Sequence, residues 1–190
     1  MPFNPETDPI SLMLTEFRLR KRADGFLNKY SELYVLSLFE DENGQSGDRF
    51  NFSTAIFPKV RVNQAIRPGG SGQLLYGPVN PGAFLAFNLI FMESDKDIRD
   101  VGAQVGEVLG SEEAKLLRKS LIAANLGAAA TVGALNTIAN LVVNQLKANK
   151  DDELFRYTGT LLRHKRYNVN KTLQANPNDY IHCRLKALRA

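Results

Sequence analysis

The sequence predicts an α+β fold: an antiparallel β-sandwich of about seven or eight strands, with a helical insertion before the last strands. Three observations predict it. Up to residue 92 apolar residues recur with a period of two; from about 97 to 149 their spacing becomes helical; from 154 to 188 the period of two returns. Strands that come back after a helical block pair with strands made much earlier. The helices are therefore an insertion in one domain spanning 1–190, with sandwich strands expected within 15–92 and 154–188. A chain of 190 residues buries a sizeable core without disulfides or metal.

Taken in order, Phe17 and Leu19 alternate with Arg18 and Arg20, and the run 33–39 is nearly all apolar. Phe50, Phe52 and Thr54 alternate with Asn51 and Ser53, and Val60 and Val62 with Arg61 and Asn63, which predicts half-buried strands. Asp24-Gly25, Asn43-Gly44, Pro68-Gly69-Gly70 and the segment 78–82 supply the breaks between them. The run 83–92 is apolar on both alternating faces except at Asn88, the mark of a central strand. Residues 154–167 read as one long strand or two short ones, and Asn176-Pro177-Asn178-Asp179 as a turn. In the last strand Ile181, Cys183, Leu185 and Ala187 alternate with His182, Arg184 and Lys186.

Ile98, Val101, Val105, Val108 and Leu109 recur at helical spacing. Ser111, followed by Glu112 and Glu113, has the chemistry of an N-cap with acids in the first turn. The second helical stretch runs through Leu116, Leu117, Leu121 and Ile122, bends near Gly127 and ends around Asn149. Gly102, Gly106 and Gly110 are spaced by four, as are Gly127 with Thr131 and Ala129 with Gly133, which predicts close helix packing. Between Lys119 and Lys147 there is no charged residue, a length sufficient to cross a bilayer. At helical spacing, however, Arg118, Asn125, Asn136, Asn140 and Lys147 share one narrow face. That stripe suits a helix buried over most of its circumference, with one polar seam toward water or a partner. The expected interface residues are Leu121, Ile122, Leu126, Val132, Leu135, Ile138 and Val142.

Catalytic chemistry is hard to assemble. The single cysteine, Cys183, excludes an internal disulfide and any zinc site built on paired thiolates. Its neighbour His182 points to the opposite face of a strand, so the two do not form a nucleophile–base pair. Gly69-Gly70-Ser71-Gly72 lacks the lysine and hydroxyl residue of a phosphate-binding loop. The expectation is a protein that is not an enzyme. With 24 Lys+Arg against 20 Asp+Glu the net charge of +4 is mild and mixed, which argues against nucleic acid as the partner. Residues 1–8 lack the basic and apolar stretches of a secretory signal, which predicts a cytoplasmic protein, with peripheral membrane association as a further option.

Acidic residues gather at two breaks: Glu40, Asp41, Glu42 and Asp48 around Asn43-Gly44, and Glu93, Asp95, Asp97 and Asp100 after the run 83–92. Both are also what solvated turns and a helix start contain. Strand, the loop 39–48, strand, and then Phe91-Met92-Glu93-Ser94-Asp95-Lys96-Asp97 resemble the first and third loops of C2 domains. The resemblance covers residues 15–100 at most and implies a C2-like sandwich. It further implies that Asp41, Asp48, Asp95 and Asp97 are candidate ligands for Ca²⁺, beside an anionic lipid surface. The helical residues after the third loop depart from that family's pattern.

Arg18, Arg20 and Arg22 alternate, and Arg163, Lys165 and Arg166 cluster with His164, so these cations are candidates for an anion-binding face. Two functions follow as expectations. The first is a noncatalytic interaction or assembly domain with a protein partner or a second copy, its helical arm packing an apolar, asparagine-striped surface on its own sheet or on that partner. The alternative is a peripheral membrane-binding C2-like module that responds to Ca²⁺ or inserts its uncharged helical segment.

Overall fold

The apolar runs 33–39 and 83–92 lie side by side, and they are apolar on both faces because both faces are covered. The computed structural model describes residues 2–23, 30–43, 51–94, 101–123, 127–148 and 150–190. In chain order these form β1 (Ile10–Leu19), β2 (Ser31–Asp41), β3 (Asn51–Val60), β4 (Ala65–Ile66), β5 (Gln73–Val79) and β6 (Phe84–Glu93). Helices α1 (Val101–Leu109), α2 (Glu112–Ala123) and α3 (Ala128–Ala148) follow. The chain closes with β7 (Asp152–Leu162), a 3-10 segment (Arg163–Asn168), β8 (Thr172–Gln174) and β9 (Ile181–Arg189).

Among the described residues all strand pairs are antiparallel, in two sheets. The central sheet has the order β3-β2-β6-β7; the outer sheet has the order β4-β1-β9-β8, with β5 also paired to β1. The pairing β1–β9 runs from Ile10 opposite Arg189 to Leu19 opposite Ile181, which joins the first strand to the last as expected. The fold is thus an α+β antiparallel sandwich with a helical insertion between β6 and β7.

Two cores share the central sheet. Between the sheets, Leu14 and Phe17 of β1 and Leu185 of β9 meet Leu33, Val35, Phe87 and Phe91. Phe17 packs on Phe57 and Phe91 with ring centroids 4.8 and 5.3 Å apart. On the other face, Tyr34, Leu36, Leu38, Ile90 and Met92 meet Leu135, Ile138, Val142 and Leu146 of α3. Those α3 positions follow the i, i+3, i+4 spacing of one helical stripe. The helices are consequently a third layer on the sandwich and not an arm: Leu135, Ile138 and Val142, expected at an interface, are fully buried against the chain's own sheet.

Local chemistry agrees with most expected boundaries. Ser111 Oγ accepts a hydrogen bond from the Ala114 amide at 3.2 Å, which caps α2. β1 starts at Ile10, earlier than the expected 15, because the β9 pairing extends that far. Val62 falls in a turn beyond β3, where Asn63 takes φ 64° and ends the strand. β5 has no counterpart among the expected strands, since its seven residues include Gly77 and Pro78. Gly77 takes φ 89° beside an irregularity in the β1–β5 register, where an added Cβ would lie 2.2 Å from the Ile10 carbonyl oxygen. β7 stops at Leu162 and does not continue to 167, because Arg166, Tyr167 and Asn168 all take positive φ of 52°, 48° and 53°. The buried Tyr167 offsets that cost by donating its hydroxyl to the Gly82 carbonyl at 2.5 Å.

The glycines divide by what surrounds them. A Cβ at Gly159 would stand 2.5 Å from Cζ of Phe87, so the ring needs that gap. Gly102 and Gly106, expected to allow close helix packing, have nothing among the described residues within 4 Å of such a Cβ, and neither do Gly127 and Gly133. These residues do not mediate a close helix approach. In urea denaturation Gly159→Ala is expected to lose about 1–3 kcal/mol through the displaced ring, whereas Gly106→Ala gains about 0.5–1 kcal/mol of helix stability. A destabilised Gly106→Ala protein would contradict an open face on α1.

Candidate functional site

The helical layer is fastened at its base and along one edge. Ser94, where the chain leaves β6, donates its hydroxyl to Asp151 Oδ1 at 3.0 Å, just before β7 begins. Tyr34 of β2 donates to the other oxygen of the same carboxylate at 2.6 Å. Burial, and then the Asp151 carboxylate, push the Tyr34 hydroxyl well above the ordinary tyrosine range. Both feet of the insertion therefore meet at one buried acid.

The asparagine seam of α3 faces β7. Asn136 Oδ1 accepts from the buried Asn88 amide at 2.7 Å and from Thr158 Oγ1 at 3.1 Å. Asn140 accepts from Arg156 at 2.7 Å, and Lys147 approaches Glu153 at 3.8 Å. The seam that was expected to look toward water or a partner matches the polar residues of the adjacent strand. Asn88, the exception in an apolar strand, has its side-chain NH2 taken up by Asn136. Val132 is half-buried at the rim of this contact. The side chains of Leu121 and Ile122, and the whole of Leu126 and Asn125, lie outside the described residues.

A second buried contact holds α2. Arg118 donates to Glu40 Oε1 at 3.3 Å, with both side chains no more than 5% exposed. The Glu40 carboxyl is raised to about 7 because burial, the largest effect, and the neighbouring Asp41 push it up by more than Arg118 pulls it down. Asp41 itself projects to the other face of β2, where Tyr76 donates to it at 2.5 Å. The candidate calcium ligand Asp41 is thus engaged in the interior.

The expected calcium loops do not share an end of the sandwich. β2 and β6 are antiparallel, with Leu33 opposite Glu93 and Asp41 opposite Leu85. The segment after β2 and the segment after β6 leave from opposite ends, eight residues or roughly 27 Å apart. Asp48, Asp95 and Asp97 lie outside the described residues. Among the described residues no group of three or more His, Cys, Asp or Glu is arranged to hold a metal ion.

The cations also divide between two ends. Arg163 pairs with Glu6 at 3.0 Å, and Arg166 stacks on Phe3 at 5.6 Å and donates to its carbonyl, beside an exposed Lys165. Arg18 lies near the other end of the ten-residue β1, roughly 30 Å away. β1 ends at Leu19, so Arg20 and Arg22 follow the strand; Arg20 reaches the Asn178 carbonyl at 3.3 Å, and Arg22 is half-buried. The two groups do not form one patch.

A different basic face is formed instead. Side chains on the outward surface of the outer sheet alternate with its core residues: Thr15, Glu16 and Arg18 on β1, and Arg184 and Lys186 on β9. Arg184 stands opposite Glu16 and Gln174, Lys186 opposite Met13 and Thr172, and Arg18 opposite His182. Arg67 donates to Glu16 at 2.9 Å and Arg184 approaches it at 3.7 Å, so one carboxylate that is 13% exposed steadies two far more exposed guanidiniums. Thr15, Glu16, Arg67, Gly70, Ser71, Thr172, Gln174 and Arg184 line an open groove of about 450 Å³. Only Arg18 of this set was an expected anion ligand. Arg184 and Lys186 were legible as the polar face of the last strand, and became a basic face once β9 paired with β1. Cys183 alternates with them into the core, where burial pushes its thiol up to about 12.

No protein-family model and no curated protein matches the sequence. Among solved structures, a human GIVD cytosolic phospholipase A2 in complex with methyl gamma-linolenyl fluorophosphonate is similar at a TM-score of 0.40 and 11% identity. The match covers 96% of this chain and 17% of that one. A likeness this loose transfers neither activity nor ligand. Among the described residues no helix is long and apolar enough to cross a membrane.

Glu40 gives the helical layer a measurable pH dependence. Its carboxyl rises from an ordinary 4.5 to about 7 in the fold, so the fold favours the neutral acid. The resulting stability is fully present below about 4.5 and is lost as the pH rises through about 7. Glu40→Gln mimics the neutral form, and its melting temperature should gain on that of the native chain between pH 5 and pH 8. A difference that stays constant across that range would mean that Arg118 keeps Glu40 ionised at its ordinary pKa.

Proposed function

We propose that this chain is a noncatalytic module that docks on anionic membrane surfaces through the basic face of its outer sheet. One observation carries the reading: Arg18, Arg67, Arg184 and Lys186 converge on an open sheet face around the single, mostly buried Glu16. A sheet is a stiff platform, so its cations meet a planar array of lipid phosphates without ordering a loop. The helices support this arrangement by covering the central sheet, which leaves the outer sheet with a solvent-facing side. Binding of this kind is electrostatic and does not depend on Ca²⁺, in keeping with acidic segments that leave from opposite ends of the strands.

Sedimentation with phosphatidylserine-containing vesicles tests it. The native chain should pellet with these vesicles and not with neutral phosphatidylcholine vesicles, should be released by salt, and should be indifferent to Ca²⁺ or a chelator. The double variant Arg18→Glu/Lys186→Glu, which leaves the Glu16 pairs intact, should bind at least about tenfold more weakly. Equal binding by that variant, or retention only when Ca²⁺ is present, would overturn the reading.

A further inference from the structure

We propose that β3 is a pairing edge for a second copy of this chain, joined antiparallel with Thr54 facing Thr54 across a two-fold axis. The proposal stands on the central sheet and is independent of the basic face. β3 is the end strand of that sheet, ten residues long, and its described backbone is hydrogen-bonded on the β2 side alone. Long, exposed edge strands with apolar side chains recruit another strand unless something blocks them. Here the blocking devices, Pro58 and Lys59, sit at one end only.

The sequence of the open part is self-complementary. The proline-free stretch of β3 is Asn51–Phe57, and Thr54 is its midpoint. Antiparallel pairing about that midpoint sets Phe52 opposite Ile56 of the second copy, twice by symmetry, and Ser53 opposite Ala55. Phe52 and Ile56 are 38% and 47% exposed, among the most exposed large apolar side chains of the described residues. They lie on the same face of β3, since their partners Leu38 and Tyr34 both face the helical layer. Aromatic against β-branched is one of the favourable cross-strand combinations, and Thr against Thr at the axis is another. The product is a continuous eight-stranded sheet with a helical layer on one face and an outer sheet on the other. An isologous contact of this kind closes after two copies and leaves no further β3 edge. A seven-residue strand pair is a small interface, so the dimer forms in a concentration-dependent way.

Sedimentation velocity on the full chain, from micromolar to near-millimolar protein, is the test. The native chain is expected to shift from monomer to dimer with increasing concentration. Ile56→Lys removes both Phe52–Ile56 pairs at an exposed position, and should raise the dissociation constant at least about tenfold while leaving the circular dichroism spectrum unchanged. A second variant reads the register: Thr54→Cys should form a covalent dimer with a short bis-maleimide, whereas Lys59→Cys and the native chain, whose Cys183 is buried, should not. A native chain that stays monomeric throughout would overturn the proposal. So would a dimer equally strong in Ile56→Lys, or cross-linking at position 59 and not at 54.

Discussion

Burial of β2 and β6 on both faces is the constraint from which the rest of the structure follows. Two adjacent strands whose side chains are apolar in both directions cannot be half of a two-layer sandwich with one wet face. They need a layer on each side. The outer sheet supplies one through Phe17, Leu14 and Leu185, and the uncharged stretch of α3 supplies the other through Leu135, Ile138 and Val142. That stretch lacks charge because it lies on a sheet, and the same composition otherwise reads as a membrane span or an exposed interface.

Polar groups inside this arrangement fix its geometry more than they strengthen it. A seam of apolar side chains between a helix and a sheet slides at modest cost; a seam containing Asn88, Asn136 and Thr158 does not, because a slipped register leaves a buried amide without a partner. Asp151 plays a comparable part at the base, where Ser94 and Tyr34 converge on one carboxylate. Arg118 and Glu40 tie down α2, but that pair is costly to bury as an ion pair, and its preference for a neutral glutamic acid follows from that cost. With one face of the central sheet covered by helices and the other by the outer sheet, the outer sheet's basic face and the β3 edge are among the described surfaces that stay exposed.

Much of the fold was legible because periodicity reports burial directly. The alternation of Ile181, Cys183, Leu185 and Ala187, the two-faced apolar run 83–92 and the cap at Ser111 all mean in three dimensions what they mean in one. Other features depend on pairings that no spacing reveals. Asp41 and Asp95 look like two halves of one site in the sequence, but the antiparallel register of β2 and β6 puts the last residues of the two strands, Asp41 and Glu93, at opposite ends. Arg18 and Arg163 look like neighbours until most of the length of β1 stands between them. An asparagine stripe on a helix has the same pattern whether it faces water or Thr158. The left-handed turn at 166–168 hides in residues that otherwise favour a strand, because the hydrogen bond from the Tyr167 hydroxyl to the distant Gly82 carbonyl holds it there. The basic face was half legible: Arg18 carries its own signal, while Arg184 and Lys186 acquire theirs only by lying next to β1.

The uncharged helix is a fixed layer of the core and not a mobile arm. Hydrogen–deuterium exchange on the intact chain addresses this most directly. Amides of 135–146 in α3 are expected to exchange as slowly as those of β2 and β6, because they are released only when the central sheet itself opens. Rapid exchange across 135–146 while β2 and β6 stay protected would contradict it.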